Sequence, residues 1–271
     1  MRYAIGLQYD GHAYAGWQTQ PKHSGVRTVQ DVLEHALSEI ASERVSVVCA
    51  GRTDSGVHAL QQTAHFDTAS QRADFAWLRG TNALLPKDVS VRWVKPVADD
   101  FHARHSATAR RYVYVLLSDP VRPALARHQV GWTHLPLNTV LMQQAADMLL
   151  GEHDFSTFRA SECQALKPTR TLLELKLHTH GKAIFITTQA NAYLHHMVRN
   201  IMGALVQVGS ERWTLAQFKA AFLAKDRREG APTFSADGLY FCGAHYPPHI
   251  GLPEPVLMSF EPNSQSWPWA L

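Results

Sequence analysis

The run Thr28-Val29-Gln30-Asp31-Val32-Leu33-Glu34-His35-Ala36-Leu37-Ser38-Glu39-Ile40, followed by Val45-Ser46-Val47-Val48-Cys49-Ala50, decides how the chain is read. Val29, Val32, Leu33, Ala36, Leu37 and Ile40 trace one face of a helix, and Thr28 is placed to cap its N-terminus. At 45–50 the helical period gives way to a short apolar strand. Upstream, Tyr3, Ile5, Leu7 and Tyr9 alternate with smaller or polar residues, a strand signal. Downstream, a strand is expected over 62–67. A helix follows over 74–84, stopped by Pro86. Val89, Val91 and Trp93 then alternate with Ser90 and Arg92 in a further strand.

That order, β-α-β-β-α-β, is the split arrangement of ferredoxin-like units. The second half repeats it at the level of pattern. A strand over 111–117 precedes a helix over 137–150, with Gly151 as its C-terminal cap. Leu173, Leu175 and Leu177 alternate with charged and polar residues, and a turn at Gly181 leads to a strand over 183–190. Apolar helices over 195–208 and 213–224 and a last strand over 239–246 complete it. The expected fold is α/β (α+β): two ferredoxin-like, RRM-like halves forming one extended antiparallel sheet with a central active-site cleft. The expected domains are 1–105, carrying the loop described below, and 106–246, with a Pro-rich tail over 247–271.

Composition sets only bounds. The 271 residues are 45% hydrophobic and 18% charged, as in a folded soluble protein. Lys and Arg number 26 against 23 Asp and Glu, so the formal charge of +3 is compatible with an RNA partner without requiring one. Three cysteines, odd in number and without a CxxC pair, fit a reducing cytoplasmic compartment and argue against a thiolate zinc site. Gln8 and Asp10 interrupt any signal-peptide core, and the longest apolar stretch, 201–206, is far too short for a bilayer.

The densest chemistry follows the strand at 45–50: Gly51-Arg52-Thr53-Asp54-Ser55-Gly56-Val57-His58-Ala59. Gly51 and Gly56 allow a tight excursion of the backbone. A carboxylate at a rigid strand exit with Arg52 two residues away stays ionised at neutral pH. Taken locally, Thr-Asp-Ser-Gly is also ordinary Asx-turn chemistry.

This segment resembles the catalytic segment of the tRNA pseudouridine synthase A family, whose Asp is essential. Asp100-Phe101-His102-Ala103-Arg104 with Ser106-Ala107-Thr108-Ala109-Arg110-Arg111-Tyr112 resembles its next block, which carries an active-site Tyr. Gly151-Glu152-His153-Asp154-Phe155 with Phe158-Arg159 resembles a third. Asn191-Ala192-Tyr193-Leu194-His195-His196-Met197-Val198-Arg199-Asn200 resembles a fourth, whose Arg contacts the catalytic carboxylate, and Gly238-Leu239-Tyr240 the block under the nucleobase. Separated blocks in one order are more specific than any single motif. Phe234, where a small residue is expected, and the long tail depart from the pattern.

The resemblance implies a cofactor-free and metal-free isomerase, a homodimer in the cytoplasm, acting on uridines 38, 39 and 40 in the anticodon arm of tRNA. Asp54, Tyr112 and Arg199 are its expected catalytic residues. Arg52, Thr53, His58, Arg110, Arg111 and Leu239 are the expected substrate contacts, with Arg104, Arg159, Arg170 and Lys167 further candidates for phosphate. Two other readings stand beside it. A metal-dependent phosphoesterase could draw on sixteen histidines. However, there is no HExxH, and His195 and His196 on a helix would diverge. A non-catalytic pair of RRM-like units would suit Tyr112-Val113-Tyr114 on a strand, but leaves the Gly-Arg-Thr-Asp loop without a purpose.

Overall fold

The computed structural model describes residues 1–20 and 25–257; the tail beyond 257 lies outside them. The chain is α/β, with ten strands and five α-helices among the described residues. It divides into two compact units, Met1–Arg110 with Tyr240–Val256, and 111–239. The last strand, assigned from sequence to the second half, therefore groups almost wholly with the first unit.

In the first unit the elements run β1 (Arg2–Tyr9), α1 (Val29–Ala41), β2 (Val47–Cys49), β3 (His58–Asp67), α2 (Asp74–Leu84) and β4 (Val89–Val97). The Thr28 hydroxyl accepts from Asp31 N at 3.3 Å, capping α1. The strand order is β4-β1-β3, with β2 also on β3, and β10 (Leu239–His245) completing it on the far side of β3. β1 is antiparallel to both of its neighbours. β10 runs parallel to β3, Tyr240 opposite His58. The expectation of a purely antiparallel sheet thus fails here, because no hairpin links these two strands and the antiparallel constraint of a tight turn is absent. Tyr3, Phe66 and Trp77 form the core between sheet and α2, with ring centroids 5.3–5.6 Å apart.

The second unit holds β5 (Ala109–Ser118), β6 (Gly131–Thr133), α3 (Thr139–Asp147), β7 (Gly151–Asp154), β8 (Thr169–His180), β9 (Ala183–Ala190), α4 (Met197–Gly209) and α5 (Leu215–Leu223). Its strand order is β5-β9-β8-β7, with β6 on β5. β6 lies parallel to β5 because residues 119–130 return the chain to the same end of the sheet. Gly151 opens β7 with φ +95° instead of capping α3, which ends on an αR cap at Met148. Eleven of the thirteen residues of α4 are buried, as an apolar surface on all sides requires. Phe155, Phe158, Phe218 and Phe222 pack together beside it. No helix among the described residues is long and apolar enough to cross a membrane.

One buried histidine makes the first unit sensitive to acid. His65 is 5% exposed, and its Nδ1 accepts from Ala103 N at 3.1 Å. Burial, with Arg2 and His102 adding to it against Asp67, lowers its pKa to about 4. A folded-state pKa below the unfolded value of about 6.5 means the unfolded chain takes up the proton first. Stability is therefore complete above pH about 6.5 and declines as pH falls toward about 4. Denaturant midpoints measured from pH 7.5 to 4.5 should fall, and His65→Gln, which keeps an acceptor for Ala103, should flatten that fall. An equally steep decline in His65→Gln would place the acid sensitivity elsewhere.

Candidate active site

Antiparallel pairing of β2 with β3, Cys49 opposite Ala64, leaves residues 50–57 as the connection that carries Asp54. Ala50 N donates to Thr63 O at 2.7 Å and closes its base. The chain leaving β1 runs against this loop and holds it by main-chain bonds. Trp17 N donates to Thr53 O at 3.0 Å, and Gly56 N to Tyr14 O at 3.3 Å. Ser55 Oγ reaches the same Tyr14 carbonyl at 3.2 Å. Within the loop, Val57 N bonds Asp54 O at 3.1 Å, so Asp54 sits at the head of a single turn.

The approach is close enough to demand glycine at two points. A Cβ on Gly16 would lie 2.7 Å from Thr53 O, and Gly16 has φ +88°. A Cβ on Gly11 would lie 1.9 Å from Val57 O. Tyr14 is itself tied down, its hydroxyl donating to Asp88 Oδ1 at 2.5 Å and the Arg27 guanidinium 4.7 Å above its ring.

Beneath the loop lies a buried polar network. Tyr9 OH and Thr53 Oγ1 are 2.8 Å apart, and Gln62 Nε2 donates to Gly51 O at 2.5 Å and to Tyr9 OH at 3.4 Å. Burial pushes the Tyr9 phenol far above its usual range, so it stays neutral. Arg110 adds a cationic brace, donating from Nε and Nη2 to Ala50 O at 3.3 and 3.2 Å, and to the carbonyls of Ala107 and Arg104.

The candidates taken from this loop thus differ in placement. Asp54 is half-buried, Arg52 is exposed, and Thr53 is buried in the network. His58 is buried, stacked on Tyr240 at 4.6 Å, with Nδ1 3.1 Å from both Gly11 N and Asp10 Oδ1. That nitrogen serves one partner at a time: bare, it accepts from Gly11; protonated, it donates to Asp10. The hydrogen bond with His58, against burial and helped by His12 N, holds the Asp10 carboxyl at about 2.

In the second unit, Tyr112 lies buried on β5, edge-on to Tyr193 at 5.1 Å. Arg199 stands in the first turn of α4. Its Nε donates to Phe234 O at 3.0 Å, and its carbonyl accepts from Phe234 N at 3.2 Å. Phe234, the departure noted in the sequence, therefore holds Arg199 through its main chain, and its ring packs on Tyr114 at 5.9 Å. Leu239 is buried at the start of β10, beside Gly238, whose carbonyl accepts from Val115 N at 2.8 Å.

The Arg111 fork rests on Glu174 at 2.7 and 3.3 Å and reaches Gln189 at 3.1 Å, latching β5 toward β8 and β9. The two adjacent histidines also differ from expectation. The helix begins only at Met197, His196 takes a left-handed φ of +60°, and the His195 and His196 rings lie 4.0 Å apart. Helical divergence therefore does not separate them.

Sequence reading missed Gly11, Tyr14, Gly16 and Trp17, which hold the Asp54 loop in place. Two glycines and two aromatics directly after a strand were the available signal. Replacing Gln62 by Leu leaves Gly51 O and Tyr9 OH buried without that donor. Stability should fall by about 1–3 kcal/mol, read as a lower urea midpoint at constant m-value. An unchanged midpoint would contradict the network.

The profile of the family described as "tRNA pseudouridine synthase" matches residues 7–106 and 145–247. The chain is 56% identical over 254 residues to a protein of Albidiferax ferrireducens named "tRNA pseudouridine synthase A", covering 94% of this chain and 96% of that one. It is 52% identical over 253 residues to the protein of that name from Bordetella petrii, covering 93% of each. For the namesake from Dechloromonas aromatica the figures are 51% over 255 residues, 94% of this chain and 96% of the relative. With three quarters of its length inside the family profile and more than half of the aligned residues identical to those of each relative, this chain belongs to the tRNA pseudouridine synthase family.

Proposed function

We propose that this protein isomerises uridine to pseudouridine at positions 38, 39 and 40 of the tRNA anticodon stem-loop, with Asp54 as the reacting carboxylate and no cofactor or metal. The observation that carries the reading is the Asp54 loop itself, half-buried and pinned by main-chain bonds on Thr53, Asp54 and Gly56. A carboxylate so fixed loses little motional freedom when it meets a reacting atom.

The reaction breaks the bond from C1′ to N1, turns the uracil, and joins C1′ to C5. The hydrogen on C5 leaves as a proton, and N1 gains one. Turning the base requires that it leave the stack. Asp54 can act as nucleophile at C1′ or as base at C2′, and either role needs it ionised. In this reading Tyr112 offers a ring for the uracil and a hydroxyl for the C5 proton, and Arg199 supplies the cation that keeps the carboxylate charged. Leu239 supplies apolar surface to the base. Arg52, exposed beside the loop, is left to meet the RNA. The protein is proposed to work as a homodimer in the cytoplasm.

The experiment uses tRNA transcripts tritiated at uridine C5, since each turnover releases that label to water. Wild type should release it, with or without exhaustive chelation by EDTA. Asp54→Asn should release none while keeping tRNA affinity and melting temperature. Arg199→Ala should slow release severely, and adding it to Asp54→Asn should cost nothing further. Turnover by Asp54→Asn, with deamidation excluded, would remove Asp54 from the chemistry. Loss on chelation with restoration by one divalent ion, in tRNA shown to stay folded, would overturn the metal-free reading.

A further inference from the structure

The basic residues that could grip phosphate fall into distinct groups once their partners are known. Arg111 is neutralised by Glu174, and Arg110 braces the base of the Asp54 loop. Arg159 and Arg170 are different. They bracket the loop between η1 (Ser156–Phe158) and β8, and that loop folds its own carbonyls around them. Arg159 Nη2 donates to Cys163 O and Ala165 O, both at 2.8 Å. Arg170 Nη1 donates to Lys167 O at 3.0 Å and Thr169 O at 2.6 Å.

Carbonyls orient a guanidinium but do not cancel its charge. Among the described residues no carboxylate pairs with either side chain, and Arg170 Nε is buried with no partner. Glu162, the acid of this loop, is exposed, bonds Ser161 and lies in the field of His195 and His196. Burial lowers the Arg170 pKa; the Cys163 side chain opposes this, and the charge of Arg159 adds to the lowering. Lys167 is exposed between them in sequence. The bonds to carbonyls engage one terminal nitrogen of each fork, and Arg159 also bonds the Cys163 side chain. Two forks oriented by carbonyls and without a carboxylate partner suit the paired oxygens of a phosphodiester.

We propose that segment 159–170 is a grip for the RNA backbone, in which Arg159 and Arg170 each take a phosphate and Lys167 adds to their field. The proposal rests on RNA being the substrate and adds where that RNA is held.

The test is binding of a fluorescent tRNA transcript to the full chain, by anisotropy across a potassium chloride series. Removing one cation from a phosphate should lower the slope of log affinity against log salt by about 0.7–0.9. Arg159→Gln, Arg170→Gln and Lys167→Gln should each show this drop, and Arg228→Gln, a cation already paired with Asp226, should not. If the arginine variants melt early, Lys167→Gln decides, because that side chain is exposed. Slopes equal to wild type in all three would overturn the grip while leaving the functional reading standing. Absence of tRNA binding by wild type would overturn both.

Discussion

The main-chain contact between residues 11–17 and the loop 50–57 is the constraint on which the Asp54 site depends. A loop carrying a reactive carboxylate has to leave its strand, and backbone groups that leave a sheet need new partners. Here β1 supplies them. Its exit lies beside the loop because β1 and β2 both pair with β3, and that placement follows from the β-α-β-β-α-β order. Trp17 N and Tyr14 O then satisfy Thr53 and Gly56 on either side of Asp54. Gly11 and Gly16 let the two backbones meet with no side chain between them.

The polar groups beneath the loop act in the same direction. Tyr9, Thr53 and Gln62 are buried together, and the hydrogen bonds joining them fix geometry more sharply than apolar packing does. Arg110 reinforces the base by binding carbonyls, and Arg111 is spent on a strand-to-strand latch. Arg110 and Arg111, adjacent in sequence, thus brace different parts of the fold. Their partners, not their positions in the chain, decide which part each braces.

Much of this fold was legible in the sequence, and the failures have physical causes. The helix at Asp74–Leu84 and the strand at Ala183–Ala190 lie where periodicity placed them, bounded by Pro86 and by the turn at Gly181. β6 and β7, at three and four residues, are too short for any period to register. The helix expected from His195 starts two residues later, because His196 adopts a left-handed φ that no local signal announced. The loop around Asp54 was visible from its glycines and its chemistry. Its clamp was not, since those contacts join main-chain atoms and leave no side-chain signature beyond Gly11 and Gly16. The partner of Arg111 lies 63 residues away on β8 and was equally hidden.

The most direct measurement concerns Gly16→Ala, which alters no candidate catalytic group. It adds one methyl where φ is +88° and Thr53 O is 2.7 Å away, so the loop must shift. If the clamp presents Asp54, the single-turnover rate of C5 label release at saturating tRNA should fall by about a hundredfold, the cost of a misplacement near 1 Å. The tRNA dissociation constant should stay close to wild type. A Gly16→Ala protein that folds, binds tRNA and reacts at the full rate would contradict the account.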